Sequence, residues 1–146
     1  TVLRYPNVYG PRQSPHGEAG VVAIFSELIL HNKRPTIFGD GSKTRDYVYV
    51  DDIIKANMLV MGNIGNGEIY NLGWGKQISD LDVFNTVRRA LGSNIEPLFG
   101  LKRPGEIDHI SLDSTKAQKE LTWKPEFTFE EGIRLAAQYY RRMWKA

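Results

Sequence analysis

Gly17, Gly20 and Ala23 stand at the spacing Gly-x-x-Gly-x-x-Ala, a run that can wrap the pyrophosphate of a dinucleotide. It does so only where a buried strand feeds straight into the glycines and the next helix turns its free N–H groups toward the phosphates. Gln13-Ser14-Pro15-His16 precedes the first glycine here, so the segment reads as a loop entering a helix. Gly41-Ser42-Lys43-Thr44 hints at a triphosphate loop, but Ser42 parts the glycine from Lys43 and the upstream glycine is missing. His16, His31 and His109 share no ligand spacing, and the sequence holds no cysteine, so neither a metal site nor thiol chemistry is expected. Four further residues have ordinary explanations when taken singly. Arg45 beside Asp46 could be a surface ion pair, Arg103-Pro104-Gly105 a turn, Phe38 a core residue and Asn7 a turn former.

The elements that would position such residues alternate between helix and strand, which makes the class α/β. Thr1-Val2-Leu3-Arg4-Tyr5 reads as a strand, and Pro6 to Pro11 as turn chemistry. From Ala19 to about Lys33, Val21, Val22, Phe25, Leu28 and Ile29 form an amphipathic stripe that Pro35 ends. Thr36-Ile37-Phe38 and Asp46 to Val50 read as strands. Asp51 would cap a deeply buried helix to about Met61, because Ile53, Ile54, Ala56, Met58, Leu59 and Val60 nearly surround it. Gly62 to Gly67 reads as a turn, and Glu68 to Leu72 as a strand stopping at Gly73. Ser79 with Asp82 opens a helix to about Leu91, Asn94 to Leu98 reads as a strand, Asp113 would cap a helix through Leu121, and Thr128 with Glu131 caps the last helix.

The balance of 19 Lys+Arg against 17 Asp+Glu, with the basic residues scattered, argues against a nucleic-acid partner. No apolar run approaches the roughly 18 residues of a membrane span, and no basic-then-apolar leader opens the chain, so no membrane partner and a cytoplasmic location are expected. Because the chain opens on a strand-like run without an initiator Met, it is expected to be a piece of a longer protein.

Three separated segments rise above this background. They are Arg4-Tyr5-Pro6-Asn7-Val8-Tyr9-Gly10-Pro11-Arg12-Gln13, Phe38-Gly39-Asp40-Gly41-Ser42-Lys43-Thr44-Arg45-Asp46-Tyr47-Val48-Tyr49-Val50-Asp51-Asp52 and Arg103-Pro104-Gly105-Glu106. With Tyr70-Asn71-Leu72-Gly73, and with Ser114-Thr115-Lys116-Ala117 leading to Glu120-Leu121, Trp123 and Pro125, they span nearly the whole chain. In that order they resemble the extended short-chain dehydrogenase/reductase family, in its NAD-dependent nucleotide-sugar epimerase/dehydratase branch, and within it most nearly the UDP-glucose 4-epimerases.

The resemblance covers the family's carboxyl-terminal half and implies a fold to match: late strands of a Rossmann sheet plus the smaller substrate-binding domain. Residues 1–8 and 68–73 would supply the strands, and the dinucleotide-binding half would lie upstream. The family's glycine-rich NAD loop and its Tyr-x-x-x-Lys catalytic pair also lie upstream, and no Tyr here has a Lys four residues later. No catalytic residue is therefore assigned, and the chain alone is expected to be inactive. The resemblance places Arg45 and Arg103 on the diphosphate, Glu106 on the ribose hydroxyls, Asn7 on the diphosphate-sugar side, and Thr36, Phe38 and Val22 around the uracil. Tyr5 and Pro6 would flank the nicotinamide of NAD, the implied cofactor.

The implied partners are a UDP-sugar and the amino-terminal half of the same protein, with a homodimer when intact and self-association of this piece alone. A nucleotide-sugar 4,6-dehydratase or a UDP-glucuronate decarboxylase or epimerase would carry the same segments. A non-catalytic module sensing a nucleotide sugar or dinucleotide is the alternative from another class.

Overall fold

The computed structural model describes residues 1–17, 20–62 and 64–144. Strand β1 (Val2–Arg4) runs parallel to β6 (Ile69–Asn71), with Leu3 opposite Tyr70. Pro6 has no N–H to continue that ladder, but the chain does not remain a turn: Asn7-Val8-Tyr9 resumes as β2 (Asn7–Tyr9), parallel to β5 (Tyr47–Tyr49). The β-forming Val8 and Tyr9 and the waiting edge of β5 override the turn signal of the flanking prolines.

Successive side chains of an extended strand point to opposite faces. Tyr47 and Tyr49 accordingly enter one core with Tyr9, while Val48 enters another with Tyr70 and Leu72. The first core is closed by α1 (Val21–Leu30), α3 (Asp80–Ala90) and α5 (Phe129–Trp144), with the Phe25 and Phe84 rings edge-to-face at 5.8 Å. The second is closed by α2 (Val50–Met61) and α4 (Thr115–Glu120), with Trp123 against them. Helices on both sides of parallel strands make the protein α/β.

Two helix starts match the sequence signals. Asp82 N–H donates to Ser79 Oγ at 3.0 Å, and Thr128 and Glu131 exchange bonds in a capping box. Others differ. The expected helix start at Ala19 lies outside the described residues, and Gly20 takes the N-cap position of α1. The expected turn from Gly62 to Gly67 includes Asn63, which also lies outside them.

Tyr49, not Asp51, N-caps α2, while Asp52 in its first turn is fully buried. Asp52 Oδ2 accepts from the Glu126 and Phe127 amides, each at 3.1 Å, which ties the chain entering α5 to α2. Nor is α2 deeply buried. Ile53 and Ala56 pack, but Ile54, Met58 and Met61 are 52%, 63% and 76% exposed, because the helix lies on the strands by one face only. Ser114 rather than Asp113 N-caps α4. The strand expected at 94–98 forms later, as β8 (Leu98–Gly100) parallel to β3 (Thr36–Phe38); Pro97 cannot donate, and pairing opens with Leu98 N–H on Pro35 C=O at 2.7 Å.

Asp46 joins these parts. It is 1% exposed and has no cation on its carboxylate among the described residues. Instead, Oδ1 accepts from Trp74 N–H at 3.0 Å, and Oδ2 accepts from Gly75 N–H at 2.9 Å and Leu112 N–H at 3.1 Å. Its carbonyl accepts from Asn7 N–H at 2.9 Å. The surface pair with Arg45 is not formed. Gly73 permits the approach, since a Cβ there would lie 2.5 Å from Asp46 Oδ2. Replacing Asp46 with Ala leaves three partly exposed amides without their acceptor, so we expect a loss of about 1 to 3 kcal/mol, read as a lower urea midpoint at unchanged slope. Asp46→Asn keeps one acceptor oxygen and should lose less.

Candidate functional site

A cleft of about 280 Å³ opens between the start of α1, strand β3, the start of α3 and the loop after β8. Ile24, Phe25 and Ile37 give it an apolar floor, and Tyr47 and Asn7 close one end. Along its wall lie three cations, Lys43, Arg45 and Arg103, and two carboxylates, Asp80 and Glu106, an excess of one positive charge.

Each is set by local structure. Arg45 sits on β4 (Thr44–Arg45), antiparallel to β7 (Ile78–Ser79), and the inward anchoring of Asp46 sends its side chain to the opposite face. Its guanidinium donates to Thr44 C=O at 2.8 Å and reaches Asp108 C=O at 3.4 Å, with no carboxylate pairing among the described residues. The Arg103 guanidinium lies over the Phe38 ring, 3.8 Å from its centroid, and 3.8 Å from Glu106 Oε1. Glu106 Oε2 accepts from the Lys43 ammonium, which also stands 3.8 Å from Asp80 Oδ2.

Burial pushes the Asp80 carboxyl up, against the pull of Lys43 and Arg45. The Lys43 hydrogen bond holds Glu106 below the usual glutamate range. Glu106 is thus hydrogen-bonded to a cation, and Asp80 lies within ion-pair distance of the same one. The arrangement can hold an anion beside a flat apolar group, with a carboxylate oxygen left to accept from hydroxyls.

Six of the residues singled out in the sequence meet here: Asn7, Thr36, Phe38, Arg45, Arg103 and Glu106. Val22 does not. It is a core residue, 1% exposed, bordering a smaller recess beside Asn7 and Gln13, while its neighbours Val21 and Ile24 face the cleft. Tyr5 and Pro6 also lie outside the cleft. Tyr5 is 48% exposed just past the end of β1, its hydroxyl donating to Asn57 Oδ1 on α2 at 2.9 Å.

Lys43 and Asp80, which also line the cleft, have little signal in the sequence. Lys43 sits in the segment set aside as a broken phosphate loop, where Asp40 Oδ1 instead accepts from Ser42 N–H at 2.9 Å and tightens the turn. Asp80 carried only the weak signal of an acid in the first turn of a helix. Among the described residues, no group of three potential ligands could hold a metal ion, and no helix is long and apolar enough to cross a membrane.

The profile of the NAD dependent epimerase/dehydratase family matches residues 1–73. A UDP-glucose 4-epimerase of Mycolicibacterium smegmatis is 45% identical over 135 residues, covering 92% of this chain and 43% of that protein. The crystal structure of a Thermotoga maritima UDP-glucose 4-epimerase with UDP-glucose superposes with a TM-score of 0.95 at 45% identity, over 99% of this chain and 46% of that one. A Thermus thermophilus UDP-glucose 4-epimerase in complex with NAD gives 0.85 at 40% identity, over 95% of this chain and 45% of that one. The chain spans a little under half the length of these relatives.

Lys43 makes the cleft's stability depend on pH. Glu106 has its folded value lowered, so its contribution is present above the unfolded value and disappears as pH falls through the folded one. Lys43→Met removes the cause and leaves two carboxylates facing each other. The stability gap between the wild-type protein and Lys43→Met should be widest at neutral pH and narrow as the pH falls through and below the ordinary carboxylate range. Urea midpoints taken across that range check it.

Proposed function

The chain belongs to the NAD dependent epimerase/dehydratase family, and on that premise we propose that it is the nucleotide-sugar-binding part of an NAD-dependent 4-epimerase that interconverts UDP-glucose and UDP-galactose. The observation that carries this is the meeting of Arg45, Arg103, Glu106, Phe38, Thr36 and Asn7 on one cleft with a positive excess. Two phosphates need fixed cations, and planar guanidinium groups can each donate parallel hydrogen bonds to them. Glu106 accepts from ribose hydroxyls, Phe38 and Thr36 border the uracil, and Asn7 stands toward the sugar. The 45% identity to a protein solved with UDP-glucose supports the choice of ligand.

For NAD, ligands of open parallel sheets lie beyond the carboxyl ends of the strands. Tyr5-Pro6 follows the end of β1, and the half-exposed ring of Tyr5 fits a place against the nicotinamide. The Gly39-Asp40-Gly41 turn that follows β3 leads into β4 and not into a helix whose N-terminus could face a pyrophosphate, so the rest of the cofactor is held by the upstream half. NAD held beside Tyr5 and Pro6 would supply a reversible hydride acceptor for the sugar carbinol, whose hydroxyl proton would go to a base of the upstream half, so the net reaction would be isomerisation. The cleft residues grip the UDP handle firmly enough to retain the oxidised sugar while leaving it able to turn.

The catalytic Tyr and Lys belong to the same upstream half, which joins the sheet at residues 1–8 and 68–73 and covers the exposed Val2 and Ile69. The intact enzyme is a cytoplasmic homodimer, and this chain without its other half self-associates through that uncovered apolar surface.

Two experiments test the proposal. In the intact protein, Arg45→Ala and Arg103→Ala should each weaken UDP binding by about 1.5 to 3 kcal/mol, roughly ten- to a hundredfold, with NAD content unchanged; isothermal titration measures it. Wild-type affinity in both variants would return the arginines to surface roles. This chain alone, given UDP-galactose and NAD, should show no turnover above background, and turnover would place the chemistry within it.

A further inference from the structure

Lys43 is the least ordinary residue of the cleft. It is 9% exposed, although lysine is rarely buried unless paired. The backbone that carries it is fixed from two directions. The turn before it is closed by Ser42 N–H on Asp40 Oδ1 at 2.9 Å, and Gly41 adopts a φ of +82° that suits glycine. The first turn of α3 then clasps it, with Asp80 N–H donating to Lys43 C=O at 2.9 Å and Leu81 N–H to Gly41 C=O at 3.1 Å.

Glu106 is placed very differently. It sits on the loop after β8, where Leu101 and Ile107 are 92% and 62% exposed and give the loop little packing. The loop is tied at Asp108, whose carbonyl accepts from Thr44 N–H at 2.8 Å and whose carboxylate pairs with Lys102 at 2.6 Å. The Glu106 side chain itself is faced by Lys43 from the turn, Asp80 from α3, Arg45 from β4 and Arg103 from its own loop. Of these, only Lys43 bonds it, and it does so at Oε2. Oε1 stands 3.8 Å from Arg103, beyond hydrogen-bond range, and remains able to accept.

We propose that Lys43 is a positioning residue: its ammonium, carried on a backbone fixed from two sides, bridges Asp80 and Glu106, holds Glu106 by Oε2, and so leaves Oε1 available to accept a hydroxyl of the nucleotide's ribose. This rests on the UDP-sugar reading above and deepens it. Lys43 itself does not bind the ligand. Its effect on affinity passes through Glu106, and the two residues act as one unit.

The test is a double-mutant cycle on the intact protein with UDP as the probe, using Lys43→Met, Glu106→Gln and the pair, alongside a carbon-13 titration of the Glu106 carboxyl. Each single variant should weaken UDP binding about tenfold, and the double variant should be no weaker than Glu106→Gln alone. Lys43→Arg, which keeps a charged donor, should stay within about threefold of the wild type. The Glu106 titration midpoint should rise in Lys43→Met, a signature that loss of packing alone does not produce. If Lys43→Met fails to fold, Lys43→Gln takes its place in the cycle.

Unchanged affinity in the Lys43 variant overturns the proposal. So do losses that add in the double variant, because Lys43 would then contact the ligand directly. A wild-type protein that does not bind UDP at all overturns the functional reading itself, and the inference falls with it.

Discussion

A buried carboxyl group must have its oxygens hydrogen-bonded, and at Asp46 three backbone amides do this. Those amides come from two loops distant in sequence, the Gly73–Gly75 turn after β6 and the segment at Leu112. One side chain therefore sets how the parallel strands, the turn and the carboxyl-terminal segment meet. Because the chain is extended there, turning Asp46 inward turns Arg45 outward, onto the cleft wall beside Asp80 and Lys43. The position of a cleft-facing guanidinium thus follows from the satisfaction of a buried acid one residue away. Asp52 also accepts two amides, from the chain that leads into α5, but there the Lys55 ammonium stands 3.7 Å from the other oxygen.

The cleft itself divides its work by chemistry. Its carboxylates are paired, its arginines are not bound to carboxylates closely enough to be spent, and its floor is apolar. Such a wall has the chemistry to hold an anion beside a flat ring. The chain matches a little under half of the relatives' length.

How much of this could be read from the sequence differs by the kind of signal. The alternation of helix and strand, the caps at Ser79 and Thr128, and six cleft residues were legible, because periodicity, capping and segment order are local or linear properties. Strand β2 was hidden behind its prolines, since only the edge of β5 makes Asn7 to Tyr9 a strand. The exposure of α2 was misjudged because an apolar helix surface does not say which layers cover it. Val22 fell one residue off the wall, an error of helix phase. Lys43 was concealed by a near miss to a phosphate loop, and its meaning depends on Glu106 and Asp80, which no spacing in the sequence brings to it. Asp46 beside Arg45 looked like a pair on paper, and only the alternation of the strand separates them.

The central claim is that one cleft, built around Arg45, Arg103 and Glu106, holds a nucleoside diphosphate. A crystal structure of the intact protein with UDP tests it most directly. The account predicts both phosphates within hydrogen-bond distance of the Arg45 and Arg103 guanidinium groups, with the ribose against Glu106 Oε1 and Lys43 still on Oε2. UDP bound elsewhere, with Arg103 still lying on Phe38 and Arg45 still on the Thr44 carbonyl, would contradict it.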